Sequence, residues 1–221
     1  MKSMLSIVAL AISLVMISTS AFGAYKPYQQ KAKFPSQYIL EKTSSVDVVT
    51  AGAANVLSAH AGATAAAPVT VTTFVAQPDY ARNLVVTPGG TTADVAAGNV
   101  VVTGVDIQGN VITESFAFIA DQSTAVTGNK AFKTITSIVI PAEDSPFGAT
   151  WSVGFGAKLG LNGCLAGSGW YLKGLVDGAD LTGSTVASSA SDVSSNTIIP
   201  NPAPNGSRDF DLLFFPNYSC Y

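Results

Sequence analysis

Trp151, Val153, Phe155 and Ala157 lie on one side of an alternating run, with Ser152, Gly154 and Gly156 on the other. A period of two is what a half-buried β-strand presents. Residues 100–105 and 111–118 repeat the pattern around Asp106-Ile107-Gln108-Gly109-Asn110, whose turn-forming residues predict a hairpin. Further apolar runs predict strands at 46–49, 69–75, 84–87, 132–140 and 210–215. Chain reversals are expected at Pro88-Gly89-Gly90, Ala97-Gly98-Asn99, Thr127-Gly128-Asn129 and Pro146-Phe147-Gly148. Closely spaced strands without helical periodicity between them predict a mainly β chain, folded as an antiparallel β-sandwich.

The first residues break the pattern. Lys2 precedes an apolar run over residues 4–17, and Ser18-Thr19-Ser20-Ala21-Phe22-Gly23-Ala24 follows. This is the layout of a secretory signal peptide, with cleavage expected after Gly23 or Ala21. The alternative is an uncleaved apolar arm or an unusual gene start. The run is shorter than the roughly 20 apolar residues a membrane span requires, so no stable span is expected after processing. Residues 24–45 carry Tyr25, Pro27, Tyr28, Phe34, Pro35 and Tyr38 without clean periodicity, and read as an extended N-terminal arm suited to docking on a neighbour. The sandwich is expected over 46–221, with a C-terminal extension conceivable from about residue 162. Within it, 51–67 is too poor in bulky side chains for a long helix, and 177–195 reads as loops or a thin strand pair.

Charge narrows the range of functions. Charged residues make up 11% of the chain and the formal net charge is −3. Lys26, Lys31 and Lys33 cluster near the N-terminus rather than along a groove with aromatics, so nucleic acid is not an expected partner. A surface of hydroxyls, amides and backbone suits packing against other protein. His60 is the one histidine and has no neighbouring ligand cluster, so it reads as a polar surface residue. Gly154-Phe155-Gly156-Ala157-Lys158-Leu159-Gly160 lacks the spacing and the following hydroxyl of a phosphate loop, and reads as a glycine-rich strand. Asp106, Asp121 and Asp144 fall in expected turns at spacings unlike a calcium loop. No catalytic, cofactor-binding or metal-ligating residues are therefore assigned.

Two structural candidates remain. Glu114 shares strand parity with Ile112, Phe116 and Phe118, and a buried carboxylate needs a partner. Arg82 is the candidate for a structural ion pair, with Lys130 and Lys133 as others. The competing expectation is a bulge or sheet rim that leaves Glu114 in water. Cys164 and Cys220 form a disulfide if the chain is exported, and stay as thiols if it assembles in a cytoplasm.

Several short stretches together resemble a family of virion structural proteins of tailed phages and prophages. They are Val71-Thr72-Thr73-Phe74, Gln77-Pro78-Asp79-Tyr80-Ala81-Arg82-Asn83-Leu84, Pro88-Gly89-Gly90-Thr91-Thr92-Ala93, Val102-Thr103-Gly104, Val111-Ile112-Thr113-Glu114 and Gly128-Asn129-Lys130-Ala131-Phe132-Lys133-Thr134-Ile135. Lys158-Leu159-Gly160-Leu161, Ser194-Ser195-Asn196-Thr197-Ile198, Asn205-Gly206-Ser207 and Asp209-Phe210-Asp211 fit the family's closing segment. The resemblance spans roughly residues 46–215. It implies a noncatalytic, head-associated protein that decorates or cements a capsid. It also implies the major capsid protein or other virion subunits, including its own copies, as partners, and the virion as its location. The signal-like start points instead to a secreted or periplasmic β-sandwich used in adhesion or ligand binding. An unrecognised hydrolase is a third and weaker reading.

Overall fold

The computed structural model describes residues 41–62, 67–143, 148–217 and Cys220. Among the described residues fourteen strands follow in chain order. They begin with β1 (Glu41–Ser45), β2 (Leu57–Ala61), β3 (Val69–Val71), β4 (Arg82–Gly90) and β5 (Gly98–Val105). Next come β6 (Val111–Phe118), β7 (Val126–Thr127), β8 (Thr134–Ile140), β9 (Ala149–Gly160) and β10 (Tyr171–Val176). The last are β11 (Ala179–Asp180), β12 (Thr185–Ala187), β13 (Thr197–Ile199) and β14 (Phe210–Phe214). The chain is mainly β, and its registered strand pairs are antiparallel.

Three sheets result. One has the order β3-β8-β5-β6; a second runs β12-β13-β9-β4-β7 with β2 also on β9; a third runs β1-β14-β10-β11. The long strand β9 organises them. β4 lies along one edge, while the other edge takes β2 near its start and β13 near its end.

Two apolar cores sit at the two ends of β9. In the first, Trp151, Val153, Phe155, Leu84 and Val86 meet Val100, Val102, Phe116, Ile138 and Ile140 from the first sheet. Phe118 meets Trp151 edge to face at 4.9 Å, the arrangement aromatic quadrupoles favour. The second core joins Leu159 and Ile198 to Val176, Phe210, Leu212 and Phe214.

The period-two expectation for β9 holds on one face, where Trp151, Val153 and Phe155 are buried. The other face is also covered. Gly154 lies against the 52–53 backbone, where an added Cβ would stand 1.7 Å from the Gly52 carbonyl oxygen. Only a glycine fits there, which is why the strand alternates bulky and small residues.

Several boundaries differ from expectation. Residues 41–45, expected within the arm, form β1 and pair with β14 along their whole length. The strand expected at 46–49 is absent, because Asp47 has a positive φ of 48° that ends the extended run. β4 continues through Pro88-Gly89-Gly90, where a reversal was expected. Pro88 lies past the two residues paired by β7, so a missing N–H on that side costs no ladder bond. Residues 171–214, within the stretch from about 162 read as an alternative C-terminal extension, supply β10 to β14 and place Val176, Ile198, Phe210, Leu212 and Phe214 in the second core.

Candidate functional site at Glu114, Asn129 and Lys158

Glu114 does face inward, as its parity with Ile112 and Phe116 requires, against the irregular stretch 128–131 that follows β7. The reversal expected at Thr127-Gly128-Asn129 is not formed: the chain goes on along β4 from Val126, opposite Val86, to Phe132, opposite Arg82, and bulges over the Glu114 carboxylate on the way. A Cβ on Gly128 would lie 2.5 Å from Glu114 Oε2 and 2.9 Å from the buried Phe116 ring, so a side chain there would displace the carboxylate and press on the ring. Asn129 N donates to Glu114 Oε1 at 2.6 Å, and Lys130 N donates at 3.3 Å to both oxygens. Burial pushes the Glu114 pKa up, while these N–H groups and the charges of Lys130 and Lys158 pull the other way without cancelling it.

β9 brings Lys158 to the same stretch. Its Nζ donates to Asn129 Oδ1 at 2.7 Å and to the Gly128 carbonyl at 3.1 Å. Asn83, wholly buried on β4, fixes both sides of this contact. Its Oδ1 accepts the Lys158 backbone N–H at 2.9 Å and its Nδ2 donates to the Gly128 carbonyl at 3.0 Å. An amine, a carboxamide and a carboxyl are thus held together by backbone hydrogen bonds from rigid elements.

Lys130 links this cluster to a cleft of about 560 Å³, lined in part by Asp106, Val111, Thr113, Asp192 and Cys220. Its Nζ lies 3.5 Å from Asp192 Oδ2. Burial works to raise the Asp192 pKa, but the Ser194 and Ser195 hydroxyls together with Lys130 outweigh it and hold the carboxyl below its usual range. Asp106 accepts from Gln108 N at 2.8 Å and Asn110 N at 2.9 Å, the turn-capping role expected of it. Cys164 and Cys220 are joined as a disulfide, which fixes the C-terminal wall of the cleft.

The expected Glu114–Arg82 ion pair is not formed. Arg82 is wholly buried between the two cores, with Asp79 Oδ1 at 3.6 Å and the Phe155 ring centroid 5.5 Å from its Cζ. Its Nε and Nη2 donate to the Gly156 carbonyl at 3.0 and 2.6 Å, and its Nη1 donates to the Val49 carbonyl. The register of β4 on β9 sets Arg82 opposite Leu159, which aims it at the Gly156 carbonyl, whereas Glu114 pairs with Val102 in another sheet. The rim expectation for Glu114 is also corrected: it is half-buried and accepts the backbone N–H groups of Asn129 and Lys130.

Lys133 donates to the Asp79 carbonyl at 3.0 Å. His60 is half-buried, with Nδ1 2.6 Å from the Ala61 carbonyl oxygen. Among the described residues no group of three or more His, Cys, Asp or Glu is placed to hold a metal, and no helix is long and apolar enough to cross a membrane. The signal-like segment, the arm residues Tyr25, Pro27, Tyr28, Phe34, Pro35 and Tyr38, and Asp144 lie outside the described residues. Sequence reasoning did not assign Asn83, Asn129 or Lys158 to a site. The glycine between Thr127 and Asn129 was the one local signal, although it was read as a reversal where the chain instead goes on along β4.

No family model matches the chain, and no curated protein or solved structure matches it.

Proposed function

We propose that this chain is a noncatalytic structural protein of a phage or prophage virion, bound to the capsid as a decoration or cement protein and acting with other copies of itself. The family resemblance supplies the virion context. The observation that carries an assembly role is the edge strand β6. It pairs with β5 on one side and, among the described residues, with no strand on the other. Its outward positions are Val111, Thr113, Ser115 and Ala117, all exposed and uncharged, and Ile119 just beyond is 72% exposed. An uncharged edge of this length is a template for pairing with another chain.

A second reading is favoured by one specific observation. The Cys164–Cys220 disulfide suits an oxidising compartment, and with the signal-like start it supports an exported adhesion or ligand-binding sandwich.

Capsid binding by intact protein and by protein lacking residues 24–38 distinguishes these, with circular dichroism as the folding control. The virion reading expects the intact chain to sediment with capsids and the deletion to weaken binding while the fold persists. An intact chain that ignores capsids but retains a glycan or cell-surface ligand supports the second reading instead.

A further inference from the structure

We propose that Lys158 and Asn129 are joined by an intramolecular isopeptide bond, with Glu114 as the proton-transfer group. The two side chains are already in contact, with Lys158 Nζ 2.7 Å from Asn129 Oδ1 and hence beside the Cγ bonded to that oxygen. Neither partner must search for the other. Asn83 holds the Lys158 backbone, and Glu114 holds the Asn129 backbone. Such preorganisation turns a slow bimolecular amide exchange into an intramolecular reaction with high effective concentration.

The chemistry balances without oxidant or cofactor. The Lys158 ammonium gives one proton through solvent to the Glu114 carboxylate, whose charge it feels without touching it, and the freed Nζ lone pair attacks Asn129 Cγ. The tetrahedral centre collapses by breaking the Cγ–Nδ2 bond. The Glu114 carboxyl returns its proton to Nδ2, which leaves as ammonia together with the second proton lost by Nζ. One N–C bond forms, one breaks, and the net products are a secondary amide and ammonium. Burial that raises the Glu114 pKa suits a group that must both take and return a proton. The exposed side of Asn129 gives ammonia a route to water. The charged groups acting on Glu114 are Lys130 from the stretch after β7 and Lys158 from β9, and Lys130 leads on to Asp192. Only the unprotonated amine attacks, so bond formation quickens as pH rises.

The bond ties the end of β9 to the irregular stretch after β7, and the reaction occurs once per chain. The inference stands on this cluster alone and does not depend on the virion reading.

Intact-mass measurement of the purified full chain, followed by disulfide reduction and peptide mapping, tests it. Folded wild-type protein is expected to be lighter by one ammonia and to yield a branched peptide linking Lys158 to Asn129. Lys158→Arg, which keeps the charge, should give no branch. Asn129→Asp should give the same branch with loss of water instead. Glu114→Gln, with an unchanged circular dichroism spectrum, should slow branching by about a hundredfold. Folded wild-type protein without the branched peptide after prolonged incubation at alkaline pH overturns the proposal. So does an ammonia loss that maps to an unbranched succinimide at Asn129, or branching at the wild-type rate in Glu114→Gln.

Discussion

Arg82 shows how much a single side chain holds between the two cores. Its guanidinium serves the Gly156 and Val49 carbonyls and Asp79 while itself wholly buried, with burial pulling its pKa below the usual arginine value. Arg82→Ala leaves those acceptors without a donor, and chemical denaturation should show a loss of about 3–5 kcal/mol. Phe155→Ala opens a cavity in the first core, and the same measurement should show roughly 3–5 kcal/mol, since the residue is 3% exposed. Glu114 makes a different kind of prediction. Burial raises its pKa in the folded chain, so the unfolded chain releases its proton first as pH rises and stability falls through that window. Acidification from neutral pH through the ordinary carboxylate range should therefore stabilise wild type relative to Glu114→Gln, as read from denaturation midpoints at several pH values. A constant difference between the two proteins would contradict the raised pKa.

Local pattern made some elements legible and hid others. The hairpin around Asp106 was readable because its turn residues and flanking alternation all lie within a short stretch, and its cap forms within the turn itself. The buried face of β9 was readable for the same reason. The pairing of β1 with β14 was not, because Glu41 meets Phe214 and no local signal encodes so distant a register. Lys158 and Asn129 meet by the same route, through β9 and β7 both pairing with β4. Asp79 stood three residues before Arg82 and was the nearer partner, yet strand parity drew attention to Glu114 instead. At the edge strand, Thr113→Lys combined with Ala117→Lys places charge on exposed positions of β6. Stability should change by less than about 0.5 kcal/mol for each substitution, while self-association seen by sedimentation velocity should weaken.

Two cores share one long strand, and the two ends of the described residues are secured by different means. β1 is held by β14, while Cys220 is bonded to Cys164 across a sequence separation of 56. Closing a loop of that size restricts the unfolded chain, and chain-entropy arithmetic puts the stabilisation at about 4 kcal/mol. Reduction, or Cys164→Ala with Cys220→Ala, should lower the denaturation midpoint accordingly.

The central claim is that this sparsely charged, edge-bearing sandwich works as a component of a particle. Quantitative mass spectrometry of density-purified particles from cells carrying the gene tests it most directly. The account predicts the chain at a fixed ratio to the major capsid protein through successive purification steps. Loss of the chain from intact particles, with its recovery from the periplasm or cell surface, would contradict it.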